Sequence, residues 1–160
     1  MPIEPPDTAK FTGGAIKYPW TMVPRATVDA ERVVQHDEDG CGPACAQMLL
    51  ADRGQAIDQD LIAETRALPC SAAPLAERMT EVSVTRWSGG TFANRPRSLA
   101  VTIDALSRHR GTWAALLEPY GYRSAGHWVV VDGIDAAGVV LVRDPVGLAY
   151  GIPLEEFDSL

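Results

Sequence analysis

Past Gly111 the chain breaks into four short apolar runs, "TWAALLE", "HWVVVDGI", "GVVLVRD" and "AYGI", set apart by Gly, Pro and Asp. Apolar runs of this length between turn formers read as strands. Before Gly111 the texture is helical. From Gly42 to Arg53 the residues Ala44, Cys45, Met48 and Leu49 recur at helical spacing, Pro43 suits a first turn and Gly54 a C-terminal cap. Asp58 to Arg66 and Ser71 to Met79 read as two shorter helices, each opening on a residue able to N-cap. Ser98 to Arg110 reads as a longer one that stops before Gly111. Helices come first and strands follow. That segregation predicts an α+β domain with an N-terminal helical layer packed on a C-terminal antiparallel sheet.

At 160 residues there is length for one domain and one core. Residues 1–30 hold Pro2, Pro5, Pro6, Pro19, Pro24, Gly13 and Gly14, which reads as an extended arm, leaving 31–160 as the folded domain. The formal charge of -7, with Lys and Arg scattered, argues against nucleic acid or an anionic membrane as the partner and favours a peptide or protein. No apolar run approaches the ~20 residues of a membrane span. Three cysteines do not make a disulfide framework, and "MPIEPPDTAK" lacks the pattern of a secretory signal. A reducing location is therefore expected, either the cytoplasm or a target cell reached by signal-independent secretion.

Chemistry concentrates in two stretches. In "QHDEDGCGPACAQM", residues 35–48, Cys41 opens the best-marked helix. The positive end of the helix macrodipole favours a thiolate there, and a nearby imidazolium adds to it. Gly40 and Gly42 leave room beside the thiol for a substrate backbone. Gln35 offers an amide N–H, and the Cys41 backbone a second, to a tetrahedral oxyanion. The acids Asp37, Glu38 and Asp39 work against the thiolate only weakly through water, and are suited to the helix N-terminus and to a cationic substrate segment.

The second stretch, "HWVVVDGIDAAGVVLVRDP", reads as a hairpin turning within Asp135 to Gly138. If Ile134 pairs with Val139, Asp144 falls opposite Val129, one diagonal step from His127 and on its face. A slip of one residue would separate the two side chains. Taken singly, a helix cysteine, a strand histidine and a post-strand Asp-Pro each have an ordinary structural reading. Together, and in this order, they form a set.

The set resembles the papain-like cysteine peptidases, and within them the bacterial double-glycine leader peptidases of bacteriocin exporters. The likeness runs from about residue 33 to 157, through "QHDEDGCGPACAQMLLADRG", "GHWVVVDGIDAAGVVLVRDPVG" and "IPLEEF". It implies Cys41 as nucleophile, His127 as general base and acid, Asp144 as the group orienting His127, and Gln35 as the oxyanion-hole side chain. It implies a peptide or protein substrate, cleavage after Gly-Gly, and no cofactor. The exporter peptidases are fused to a membrane and nucleotide-binding unit, whereas this sequence shows neither an apolar span nor a GxxxxGK[ST] loop.

The biological setting is then peptide maturation or a toxin-like effector, the latter with an inhibitory immunity protein as partner. Acyl transfer, as in a transglutaminase-like enzyme, uses the same acyl-enzyme, and an inactive peptide-binding module is a third reading. No metal is expected: a zinc site from Cys41, Cys45, His36 and Cys70 lacks a second close-spaced ligand pair. Cys45 reads as a packing residue, Cys70 as a loop or core thiol, and His36 and His109 as surface residues. Trp128 suits a core position or a shelter over the imidazole, and "TRWSGG", residues 85–90, an ordinary turn or a groove wall.

Overall fold

The fold is that of a computed structural model describing residues 23–24, 33–36, 40–63, 71–90, 98–117 and 126–158. The elements run β1 (Val23–Pro24), α1 (Cys41–Ala51), α2 (Gln59–Ala63), α3 (Ala72–Val82), α4 (Leu99–Arg110), β2 (Trp113–Leu117), β3 (His127–Ile134), β4 (Val139–Asp144), β5 (Leu148–Pro153) and α5 (Leu154–Asp158). The strands form one sheet in the order β1-β5-β4-β3-β2, each pair antiparallel. The expected α+β architecture is present, with helices ahead of the sheet. Val23–Pro24, inside the stretch read as an arm, pairs with β5 at the sheet edge. The remainder of that stretch, including Gly13 and Gly14, lies outside the described residues, as do Asp37, Glu38, Asp39, Arg66 and Cys70.

α1 differs from the single apolar stripe its spacing suggests. Cys41 to Ala46 and Met48 to Leu50 are all buried, so the helix is enclosed on nearly every side. It packs against β3 on one side and α2 and α3 on the other, within a core of Cys45, Met48, Leu49, Ile62, Leu75, Met79, Trp128 and Val130. Its end is closed as the sequence implies. Gln55 N donates to Leu50 O and Gly54 N to Ala51 O, the paired bonds of a Schellman cap. At α4, Ser98 Oγ accepts from Val101 N, the expected N-cap.

A second core lies on the other face of the sheet, where Leu99 and Ile103 of α4 and Phe157 of α5 meet Val129, Val131, Val140, Val142, Tyr150 and Ile152. The helices are thus divided between the two faces. The signal is β3 itself: "WVVV" is apolar at every position, and a strand with apolar residues on both faces needs cover on both.

The β3–β4 hairpin corrects the assumed register. Ile134 pairs with Val140, not Val139, because Asp135 begins a turn in which its Oδ1 accepts from Ala137 N and Val139 N and its carbonyl from Gly138 N. The pairing then shifts by one at a bulge between Val131 and Gly133, where Gly133 has φ 139°. Beyond it Val131 pairs with Val142 and Val130 with Arg143. Extending that register sets Asp144 beside Val129, so the one-residue error at the turn is cancelled before the strand reaches His127.

The bulge residue Asp132 also holds the sheet to α1. Arg143, almost buried, donates to Asp132 Oδ1 at 3.1 Å and to both carboxylate oxygens of Asp52, just past the end of α1. Removing the guanidinium takes away the positive charge that the two partly buried carboxylates share, although Asp52 keeps the Thr112 hydroxyl. Arg143→Leu is expected to lower stability by about 3 kcal/mol, read from urea unfolding.

Candidate active site

The N-terminus of α1 meets the end of the sheet at the first residue of β3. Gly40 occupies the N-cap, and the first helical bond runs from Ala44 N to Gly40 O at 3.1 Å. The Cys41 N–H therefore stands ahead of the helical ladder, and Pro43 has no N–H to leave unsatisfied. Cys41 is 5% exposed, and its thiol lies close enough to the His127 imidazole to help raise the pKa of the ring. His127 Nε2 lies 2.9 Å from Asp144 Oδ1. This leaves Nδ1 as the ring nitrogen available to the thiol. The structure thus brings Cys41, His127 and Asp144 together, with His127 bonded to Asp144 and close to the thiol.

Asp144 is fully buried, and its turn explains the "DPVG" sequence. Gly147 N donates to Asp144 O, Val146 N donates to Asp144 Oδ1, and Pro145 takes the position where a fixed φ is favoured. The Asp-Pro pair is both an ordinary turn and a carboxylate clamp. Tyr150 completes it, its hydroxyl donating to Asp144 Oδ2 at 2.6 Å from within the core. Sequence reading passed over Tyr150. Its signal is the β4–β5 register: Leu148 pairs with Asp144, so Tyr150 is the diagonal neighbour on the same face. Tyr150→Phe is expected to cost about 2 kcal/mol of stability, since a hydrogen bond to a buried charge is lost.

The electrostatics follow from that geometry. Burial alone would lower the His127 pKa, but the charge and hydrogen bond of Asp144, aided by Cys41, outweigh it and raise it to about 10. Burial would raise the Asp144 pKa, yet His127, the Tyr150 hydroxyl and the Val146 N–H hold it below the usual carboxylate value. The pair is an imidazolium and a carboxylate at neutral pH. Trp128, next in sequence to His127, is buried in the same core as Cys41, the core position given for it.

Gly126 sets where β3 begins. A Cβ there would lie 2.6 Å from the Leu117 carbonyl oxygen and 2.8 Å from Leu116 Cδ1, both on β2, where Leu117 pairs with His127. Gly126→Ala is expected to displace the His127 end of the strand and cost about 1–3 kcal/mol, measurable as a lowered urea midpoint with slower alkylation of Cys41.

Gln35 is nearly buried and held beside the Asp144 turn. Its N–H donates to Pro145 O at 2.7 Å, and Val34 bridges Val146. On the other edge of this segment Gln59, missed by sequence reading, donates from Nε2 to Val34 O and accepts His36 N at Oε1. A buried glutamine has no signature in a single sequence.

The remaining candidates are placed as follows. Cys45 is buried in the α1 core. The His36 imidazole, half-exposed, bonds Asp60 through Nδ1 at 2.6 Å. His36, Asp58 and Asp60 bring one ligand-type atom each within 4.8 Å of one another, all three residues exposed. Asp58 accepts Asp60 N, an N-cap bond of α2. In "TRWSGG" the Trp87 ring packs beneath the Arg53 guanidinium, 4.6 Å from its centroid, and a Cβ at Gly89 would strike the Ala72 carbonyl. Those two residues serve packing. Among the described residues no helix is long and apolar enough to cross a membrane.

A thiol at the head of a buried helix, facing a strand-borne imidazole across an α+β core, is the arrangement of the papain-like cysteine peptidases. Comparison with known proteins agrees: the family model described as "Peptidase_C39 like family" matches residues 27–158. The chain belongs to that family, which relates it to the double-glycine peptidases, and it is a cysteine peptidase. It is also 32% identical over 142 residues to a protein of Escherichia coli O1:K1:H7 named "Cysteine protease effector 1". That match takes in 88% of this chain and 27% of the relative, so the chain spans about a quarter of the relative's length.

Proposed function

We propose that this domain hydrolyses a peptide bond in a peptide or protein substrate, with Cys41, His127, Asp144 and Gln35 as its working residues. The observation that carries the reading is the His127 imidazole bonded at Nε2 to the buried Asp144 carboxylate and set close to the Cys41 thiol at the head of α1. The Cys41 proton rests on His127 as the imidazolium, and the Cys41 thiolate attacks the carbonyl carbon. Negative charge gathers on the carbonyl oxygen, which accepts from the Cys41 N–H and the Gln35 amide. The imidazolium then protonates the leaving amine, and water, deprotonated by His127, releases the acid from the thioester. Asp144 holds the ring with Nδ1 toward sulfur and stabilises its positive charge throughout.

The kinship with double-glycine peptidases supports cleavage after Gly-Gly, where the absence of side chains suits a narrow groove. The name of the E. coli relative supports action as an effector, and the proposal adds delivery into a target cell with an inhibitory immunity protein as the matching partner. The acidic charge of -7 fits a substrate with a basic segment. The test is to incubate the parent and Cys41→Ala proteins with a cell lysate and compare new N-termini by mass spectrometry. The expected result is a set of new N-termini that only the parent generates, with products heavier by one water. Identical N-termini in both samples would overturn the reading. Expression in a candidate target cell decides the setting: growth arrest that Cys41→Ala abolishes supports an effector, and harmless expression of an active parent contradicts it.

A further inference from the structure

We infer that Gln59 is a positioning residue for the oxyanion hole, acting through Gln35. This rests on the reading of Gln35 given above. In an extended segment the carbonyl of one residue and the N–H of the residue two further on point to the same edge, while the intervening residue points its own backbone groups to the other. The Gln59 side-chain amide meets the first edge at both places: Nε2 donates to Val34 O at 2.9 Å and Oε1 accepts His36 N at 3.0 Å. The opposite edge is met by Pro145 O, which accepts Gln35 N at 2.7 Å. One amide thus stands in for a neighbouring strand, and Gln35 is clamped between it and the turn that carries Asp144.

The clamp is itself fixed. Gln59 is 2% exposed, which removes water as a competing partner, and its backbone N–H donates to Gln47 Oε1 at 2.9 Å. Gln47 lies on α1, the helix that Cys41 opens. Gln35 is therefore referenced to the nucleophile's helix through Gln59 and to the His-orienting carboxylate through Pro145. An oxyanion donor acts only when held where the charge develops, and a displacement of about 1 Å costs as much as a hundredfold.

The test compares two reactions of Cys41. Acylation by p-nitrophenyl acetate passes through a tetrahedral oxyanion, whereas alkylation by iodoacetamide displaces iodide at a saturated carbon and forms none. Rates are corrected with Cys41→Ala. Gln35→Ala should lower acylation at least tenfold and leave alkylation unchanged. Gln59→Met, similar in length but without the amide, should do the same, and Gln59→Glu, which keeps the acceptor for His36 N alone, should fall between. The double variant Gln35→Ala/Gln59→Met should acylate no more slowly than Gln35→Ala, because both changes remove one effect. An unaltered acylation rate in Gln59→Met and Gln59→Glu, additive losses in the double variant, or equal losses of acylation and alkylation would overturn the role of Gln59 while sparing Gln35. Normal acylation in Gln35→Ala would overturn the oxyanion reading of Gln35, and this inference with it.

Discussion

Asp144→Asn is expected to lower turnover about a thousandfold or more and to bring the His127 pKa down from about 10 toward its ordinary value near 6.5. The carboxylate is fully buried, and it is the group whose charge and hydrogen bond raise the imidazole against the effect of burial. An amide keeps the shape but not the charge, so the ring loses its negative partner and the acceptor that fixes its tautomer. Titration of the His127 ring by NMR reads this directly. An unshifted ring in the variant would contradict the coupling.

The same change has a signed pH dependence in stability. For His127 the folded pKa is raised, so its contribution is complete below about pH 6.5 and is lost as pH rises through about 10. For Asp144 the folded pKa is depressed, so its contribution is complete above about pH 3.9 and is lost as pH falls through the lower folded value. The two windows overlap between about pH 4 and 6.5. There Asp144→Asn should be less stable than the parent by about 3–5 kcal/mol, the usual consequence of breaking a buried pair. The gap should narrow as pH approaches 10. Urea midpoints at pH 5.5, 8 and 9.5 test the sign, and a gap that widens with pH would be inconsistent with it.

His127→Ala should produce the larger loss of activity, about four to six orders of magnitude in the rate at which new N-termini form, and Cys41→Ala as much. The double variant should be no worse than either single one, since nucleophile and base act as a unit. Stability separates chemistry from folding here. Cys41 packs in the core, but its replacement by Ala removes only a sulfur atom, so the fold should survive with about 1 kcal/mol lost.

Much of this site was legible because its parts are announced locally. A cysteine after Gly40 at a helix start, a histidine before "WVVV" and an aspartate before Pro145 each have a short-range cause that a single sequence displays. The register joining His127 to Asp144 was less legible. The turn begins one residue differently from the simplest pairing, and a bulge near Asp132 restores the frame. Only Gly133 hints at it, as a glycine inside a strand pattern. Tyr150 and Gln59 were passed over because a buried hydroxyl or amide acts on partners brought near by the fold, and no period or spacing reports such contacts. The division of the helices between the two faces was present in the all-apolar run of β3, yet the order of helices before strands pointed to one layer.

The central claim is that His127 activates Cys41, and the rate of Cys41 alkylation near neutrality tests it most directly. Iodoacetamide labelling followed by peptide-mapping mass spectrometry at pH 7 compares the parent with His127→Ala. The account predicts labelling of the parent at least tenfold faster than of the variant, with both proteins folded. Equal rates would mean that the imidazole does nothing for the thiol, and would contradict the pair on which the proposed reaction depends.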